Sequence, residues 1–329
     1  MKFFSLILLL IVFIFIIYSV FLFFKPFWVR QTVIEIENGE SALSIATKLF
    51  YHDVIKSKFA FYVYVKITGI SGRLSYGKYL FNGRYSLLDV IRKIKSGEVY
   101  LRRVTIPEGY TINKTSQRLA RKGFGDYEAF RALANDSTFA RKLTGFSIPS
   151  LEGFLYPETY YFPEDVNEEY ILTHMVRRFF VETADLDFAP NANVDFYQTI
   201  ILASIVEKEA HYNDEKPLIA SVYLNRIEGS MRLQADPTVA YVLEKYGQNR
   251  KIIYYRDLTI DSPYNTYKYL GLPPTPICNP SLSSIEAVLN PINSDFYFFF
   301  ADRKGRHIFS QTYSQHLTAQ RNLKGKHGK

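Results

Sequence analysis

Cysteine is almost absent from the chain. Cys278 stands alone among 329 residues, which excludes an internal disulfide and any cysteine-based metal cluster. Its neighbours Pro276 and Pro280 suit a small buried side chain. The six histidines do not cluster at ligand spacing, so no metal centre is expected. Also missing are a Walker loop, a dinucleotide fingerprint and zinc-finger spacing, and there is no Gly-x-Ser-x-Gly elbow for acyl transfer. Hence no cofactor is expected either. Basic blocks are lacking too: the net charge of +8 comes from 40 Lys and Arg against 32 Asp and Glu, scattered along the chain. Diffuse positive charge suits an anionic membrane or polymer and gives no support to nucleic acid as a partner.

What is present is apolar and aromatic. A hydrophobic content of 47%, with 16% aromatic residues, allows a substantial core, and the length allows two or three domains. From Phe3 to Phe24 the chain carries no charge and is apolar but for Ser5 and Ser19, bounded by Lys2 and Lys25. At about 1.5 Å per residue such a run reaches across a bilayer core of about 30 Å. No small-x-small cleavage site follows it, and Phe27 and Trp28 suit an interface. The expectation is an uncleaved, single-pass membrane anchor over residues 1–30. Its flanking charges do not set the orientation.

Between Val33 and Phe124 a pattern recurs: strand, glycine turn, hydroxyl cap, helix. Val33 to Ile36 leads through Asn38-Gly39 to Ser41 and a helix through Leu49. Tyr79 to Phe81 leads through Asn82-Gly83 to Ser86, with Asp89 three residues on, and a helix ending at Ser96-Gly97. Arg103 to Ile106 leads through Gly109 to Thr111 and a helix ending near Gly123. This region, 31–125, resembles LysM-type glycan-binding modules; a plain spacer is the other reading of the same pattern.

Residues 126–329 read as a second, mixed α+β domain. After a helical connector, Ser150 to Tyr160 is dense in aromatics, broken by Gly153 and Pro157, and carries Glu152 and Glu158. It is either a packed turn or a wall of a sugar cleft, because aromatic faces stack on sugar rings. An amphipathic helix over Glu169 to Ala184 follows. Gln198 to Ala210 then reads as a buried helix whose last turn holds two carboxylates. Leu202, Ile205 and Val206 share the face of Glu209, whereas Glu207 follows Ala203 and Ser204. A carboxyl on an apolar face is raised in pKa by desolvation and stays protonated, as a general acid requires. The alternative is an ordinary amphipathic helix with its charges in water. Beyond it, Asp236 reads as a helix cap with Pro237 at the first position. Gln234, Tyr264, Asn265 and Tyr267 fall in loops rich in sugar-binding group types. Phe296 to Phe300 and His307 to Phe309 read as a hairpin, and the basic tail after His316 as frayed.

Leu155-Tyr-Pro-Glu-Thr159, Ala203 to Glu209, Asn225-Arg226, Met231 to Thr238, Tyr264-Asn-Thr-Tyr267 and Gly271-Leu-Pro-Pro274 occur in that order. With the apolar N-terminus they resemble the MltG (YceG-like) endolytic murein transglycosylases over nearly the whole chain. The resemblance implies an α+β fold: an N-terminal transmembrane helix, a small LysM-like α+β domain and a mixed α+β catalytic domain. It implies residence on the cytoplasmic membrane, facing the extracytoplasmic side, with peptidoglycan glycan strands as substrate and peptidoglycan synthases as possible partners. The catalytic acid of the family maps to Glu209, which would cut the MurNAc–GlcNAc bond and leave 1,6-anhydroMurNAc ends, limiting strand elongation. Gln234, Asp236, Tyr264, Asn265, Tyr267, Glu158 and Glu207 are the candidate substrate contacts. Ala210 stands where related lytic enzymes often carry Ser or Thr. A non-catalytic glycan-binding scaffold and a hydrolytic muramidase are the competing functions.

Overall fold

Alternating apolar and polar residues up to Ile36 call for a half-buried strand. In the computed structural model this strand is β1 (Phe27–Ile36), with Val29, Ile34 and Ile36 buried. The structure describes residues 23–164, 166–188, 194–248 and 252–325. The chain divides into one unit of residues up to Arg103 with Tyr161–Val166, and another of Val104–Tyr160 with Asn167–Lys329.

In the first unit β1 pairs antiparallel with β2 (Gly77–Tyr85). The sequence pattern ends the second strand at an Asn82-Gly83 turn, but the strand runs on to Tyr85. Gly83, at φ +119°, lies opposite Val29, beside a bulge between Val29 and Thr32. A glycine with positive φ here serves the bulge and not a reversal. Three α-helices of the unit, between Ala42 and Ser96, pack with these strands. Helix α1 (Ala42–Tyr51) is capped by Ser41, and α2 (Lys58–Ile67) is capped by Ser57. Helix α3 (Leu87–Ser96) opens on a Ser86–Asp89 capping box and closes on Gly97 at φ +72°. Ile34, Ile45, Leu49, Phe61, Tyr79, Phe81 and Val90 pack together as its core.

The chain leaves the first unit through β3 (Leu101–Thr105). The third strand–turn–helix repeat belongs to the second unit from Val104 on. Thr111 caps α4 (Ile112–Arg121), followed by α5 (Tyr127–Ala134), α6 (Ser137–Thr144), β4 (Thr159–Pro163) and α7 (Glu168–Glu182). Then come α8 (Phe196–Glu209), α9 (Lys216–Glu228), α10 (Asp236–Lys245) and α11 (Leu282–Leu289). The hairpin β5 (Phe298–Ala301) and β6 (His307–Ser310) leads into α12 (Tyr313–Gly325). The tail expected to fray is helical up to Gly325, because Tyr313 and His316 stack on Phe298 and His316 also meets Phe300.

Helix α8 is the axis of this unit, and α9, α10 and α11 all pack on it. Every residue from Thr199 to Val206 is buried, so over these two turns the helix has no wet side, and only its ends, at Gln198 and Lys208, are exposed. That overturns the surface-charge alternative, since an amphipathic helix would leave one stripe in water. It also removes the apolar face as the feature that separates Glu209 from Glu207.

The expected transmembrane helix is corrected. Among the described residues no helix is long and apolar enough to cross a membrane, and residues 1–22 of the apolar run lie outside the described residues.

Candidate active site

Helix α8 begins with reciprocal hydrogen bonds between Asp195 and Gln198, and it stops because Ala210 turns to extended backbone (φ −72°, ψ 127°). Glu209 is thus the last helical residue, free of the helix's own packing yet anchored to a buried rod. Across from it on α9 the Tyr223 hydroxyl, itself buried, donates to Glu209 Oε1 at 2.7 Å. One turn further along α9 is Arg226, also buried. Its guanidinium donates to the carbonyl of Tyr297 at 2.7 Å and to that of Leu233, and lies 5.5 Å over the Phe298 ring. These bonds hold a cation near Glu209 without an ion pair to it.

Burial pushes the Glu209 carboxyl up to about 7; the Tyr223 hydrogen bond works against that rise, the Asp236 carboxylate adds to it, and Arg226 opposes it. Glu209 as a whole residue is half-buried, so it is not sealed inside the core. A carboxyl that is partly protonated at neutral pH can give a proton and take one back in the same turnover.

Asp236 is not the cap of α10. Ala235 holds that position, so Asp236 is the first helical residue and its carboxylate accepts from the Tyr267 hydroxyl. Burial, then this carboxylate, raises the Tyr267 hydroxyl well above the ordinary tyrosine value. Glu209, Tyr223, Arg226, Asp236 and Tyr267 therefore form one electrostatic cluster.

Glu207 lies two residues before Glu209 and is placed quite differently. Its Oε2 accepts from Ser281 Oγ (2.5 Å), Ser284 Oγ (2.6 Å), the Ser281 amide (3.1 Å) and Lys216 Nζ (3.2 Å). Lys216 in turn donates to Ser281 and Ser283, both at 2.9 Å. Burial alone would raise Glu207, but these donors outweigh it and hold its carboxyl below the usual range. The group is a bolt joining the ends of α8, α9 and α11.

The other candidates are dispersed. Gln234 is exposed at φ +51°, its amide tied to the Thr266 carbonyl. Tyr264 bonds Thr275 at 2.9 Å and packs on Tyr241. Asn265 is fully buried; its amide donates to the carbonyls of Leu258 and Ile260, and its oxygen accepts from the Tyr267 amide. That set is the internal wiring of a loop. Glu158 pairs with Arg178. Glu152, buried in the Ser150 to Tyr160 turn, is anchored because Asn279 accepts from the Gly153 and Leu155 amides. A side chain at Gly153 would strike Pro276 at 2.6 Å and Ile200 at 2.9 Å, at a φ of +93°.

Tyr223 has no role in the sequence reading, and Arg226 enters it only within the Asn225-Arg226 motif. By sequence alone Leu218 to Ile227 reads as a helix on which Ile219, Val222 and Tyr223 are simply apolar positions. A buried tyrosine hydroxyl needs a partner, however, and that requirement was the available signal.

Comparison with known proteins closes the case for kinship. The model of the YceG-like family matches residues 34–322. A Bacillus subtilis (strain 168) protein named endolytic murein transglycosylase is 36% identical over 304 residues, covering 87% of this chain and 83% of that one. A Streptococcus pneumoniae serotype 2 (strain D39) protein of the same name is 30% identical over 322 residues, covering 87% of this chain and 57% of the relative. The crystal structure of a yceG-like protein from Listeria monocytogenes matches with a TM-score of 0.59 and 34% identity, over 88% of this chain and 99% of that chain. The chain belongs to the YceG-like family.

Proposed function

We propose that the chain is an endolytic murein transglycosylase in which Glu209 carries the proton. The observation that supports this reading most is the half-buried Glu209 carboxyl, raised to about 7 and held by Tyr223. It belongs to a chain whose curated relatives are named endolytic murein transglycosylases.

With Oε1 accepting from Tyr223, the acidic proton sits on Oε2. It passes to the glycosidic oxygen between N-acetylmuramic acid and N-acetylglucosamine as the C1–O bond breaks. The carboxylate so formed takes the proton of the muramoyl C6 hydroxyl while the C6 oxygen closes on C1. A 1,6-anhydro ring results, Glu209 is protonated again, and no water is consumed. An internal nucleophile makes one carboxyl sufficient, whereas an inverting hydrolase needs a second carboxylate to activate water. Asp236 keeps the acid form populated by its charge, and Tyr223 orients the carboxyl.

Nascent strands are the substrate, and cutting them limits their elongation. The enzyme works at the extracytoplasmic face of the cytoplasmic membrane, beside peptidoglycan synthases. Its first unit is a LysM-like glycan-binding module. The strand–turn–helix pattern of that unit and the apolar N-terminal sequence support these assignments; fractionation and protease protection of cells test the location.

The decisive experiment is mass spectrometry of glycan strands treated with wild type and Glu209→Gln. Wild type releases anhydro-ended fragments, and the variant loses about 10²–10⁴ of the rate with its fold intact. Full activity in the variant sinks the assignment. Wild-type products one water heavier mean a muramidase, and glycan binding without new ends means a scaffold.

A further inference from the structure

A second concave site lies within the same unit, built from groups that the proton-transfer chemistry does not use. The beginning of α4, the outer face of α5 and the far end of α10 enclose a cavity of about 420 Å³. Glu152 forms its floor, only 3% exposed. Its Oε1 accepts from the Ile112 amide at 2.9 Å, and its Oε2 from the Tyr241 hydroxyl at 3.1 Å. Tyr127 and Tyr241 supply aromatic rings to the walls, Asn113 and Asn135 supply amides, and Glu244 lies at the edge.

The walls are rigid. Thr111 caps α4 and also donates to Glu244 at 2.5 Å, while Lys114 pairs with the same carboxylate at 2.7 Å. Tyr127 donates to Asn113, joining α5 to α4. Such fixed side chains are what a binding site needs and a filler loop does not.

The lining selects the ligand. An apolar molecule would leave the remaining hydrogen-bonding capacity of Asn113, Asn135, Arg131 and Lys245 without partners. With Arg131 and Lys245 in the lining and Glu244 paired with Lys114, an acidic substituent on the ligand is tolerated but is not what the rest of the lining addresses. A ring bearing hydroxyl and acetamide groups can bond the amides at the rim and lay a face on tyrosine. Burial supports this, since it pushes Glu152 up to about 8 and so leaves a neutral acid, able to donate as well as accept, at the floor.

We propose that this cavity is a second saccharide subsite, holding a sugar ring of the glycan strand away from the bond that is cut. The inference rests on the reading of the chain as a murein transglycosylase. Helix α10 links the two places, with Asp236 at its first turn and Tyr241 and Glu244 five and eight residues on. That is about 8–12 Å of helix axis, a span that a few linked sugar rings bridge. The cavity thereby favours long strands, which suits cutting inside a strand over trimming its end.

Tyr127→Ala and Asn135→Ala test the proposal in the full chain; Asn135 is exposed and its side chain bonds the Arg131 carbonyl at the end of α5, so urea unfolding of both variants separates a stability loss from a binding loss. With peptide-free glycan strands, both raise KM for long strands about tenfold, and the preference for long over short oligosaccharides shrinks accordingly. An unchanged KM on long strands overturns the subsite, and so does an equal rise for short and long ones. A loss seen only with peptide-bearing strands also overturns it, because the pocket then reads peptide and not sugar. Calorimetric titration of Glu209→Gln with chitin oligosaccharides, with and without Tyr127→Ala, reads the cavity independently of catalysis. If wild type cuts nothing, the transglycosylase reading fails, and that titration still decides whether the cavity takes sugar.

Discussion

Glu207 and Glu209 stand two residues apart on the same helical turn, with opposite electrostatics. Around Glu207 three serine hydroxyls, a backbone amide and a lysine ammonium converge, directly or through Lys216, and the carboxyl is driven toward its ionised form. Around Glu209 there is one tyrosine hydroxyl, a distant guanidinium engaged elsewhere and a second carboxylate, and burial prevails. Burial is the largest upward influence on both carboxyls, so burial alone does not make an acid. What differs is how many donors the neighbouring elements aim at each carboxyl. One is satisfied by the protein and locked; the other is left with a proton to exchange.

The most forceful way to break this contrast is Lys216→Met. The Glu207 carboxylate would then be buried without its cation, at a cost of about 3–5 kcal/mol. Urea unfolding should record that loss, while Glu209→Gln, which removes a raised acid, should leave stability near wild type at neutral pH or slightly above it. Adding Glu207→Gln to Lys216→Met should recover most of the deficit. If Lys216→Met costs less than about 1 kcal/mol, the pair behaves like a solvated surface bridge and the idea of a locked carboxyl is wrong.

A smaller effect separates the two residues by pH. The folded-state value of Glu209, about 7, lies above its ordinary 4.5. Between those values the folded chain binds more protons than the unfolded one, so stability falls as pH rises through this window. Because Glu209 as a residue is half-buried, solvent screening limits the loss to about 1–3 kcal/mol. Glu207 has the opposite sign: its contribution is present above 4.5 and is lost as pH falls through its lowered folded value. Glu209→Gln should therefore flatten the stability curve between pH 4.5 and 7, and Glu207→Gln should flatten it only on the acid side. Glu152, raised to about 8, carries a slope of the same sign as that of Glu209, and it persists in the Glu209→Gln variant.

How much of this was legible in the sequence depends on the range of the interaction. Ser41, Ser86 with Asp89, and Thr111 announce their helices because a cap acts over three residues, and all three do cap. The β5–β6 hairpin follows from two apolar runs around a short turn. Helix α2 was not anticipated, since Lys58–Ile67 is aromatic and β-branched and its helicity comes from packing Phe61 and Val65 into the core. Asp236 looks like a cap by local grammar, but Ala235 takes that place and Tyr267, distant in sequence, engages the carboxylate. The end of α8 was readable to within a residue. The hydroxyl 14 residues on that grips Glu209, and the serines more than 70 residues away that quench Glu207, were not. Two glutamates two positions apart look alike until tertiary partners are known.

The finest test perturbs those partners one at a time. The Tyr223 hydrogen bond favours the ionised form of Glu209, so Tyr223→Phe should raise its value further. The Asp236 charge disfavours that form, so Asp236→Asn should lower it. If a protonated Glu209 starts the reaction, activity declines as pH rises past about 7. Tyr223→Phe should move that limb to higher pH and Asp236→Asn to lower pH, each by roughly half a unit to one unit. A purely structural role for either residue would lower the rate without moving the limb. Shifts in the same direction would mean that the limb belongs to another group, and Glu152, raised to about 8, would be the first to examine. Opposite shifts from two residues on different elements require the titrating group to lie between them, which only Glu209 does among the carboxyls of this cluster.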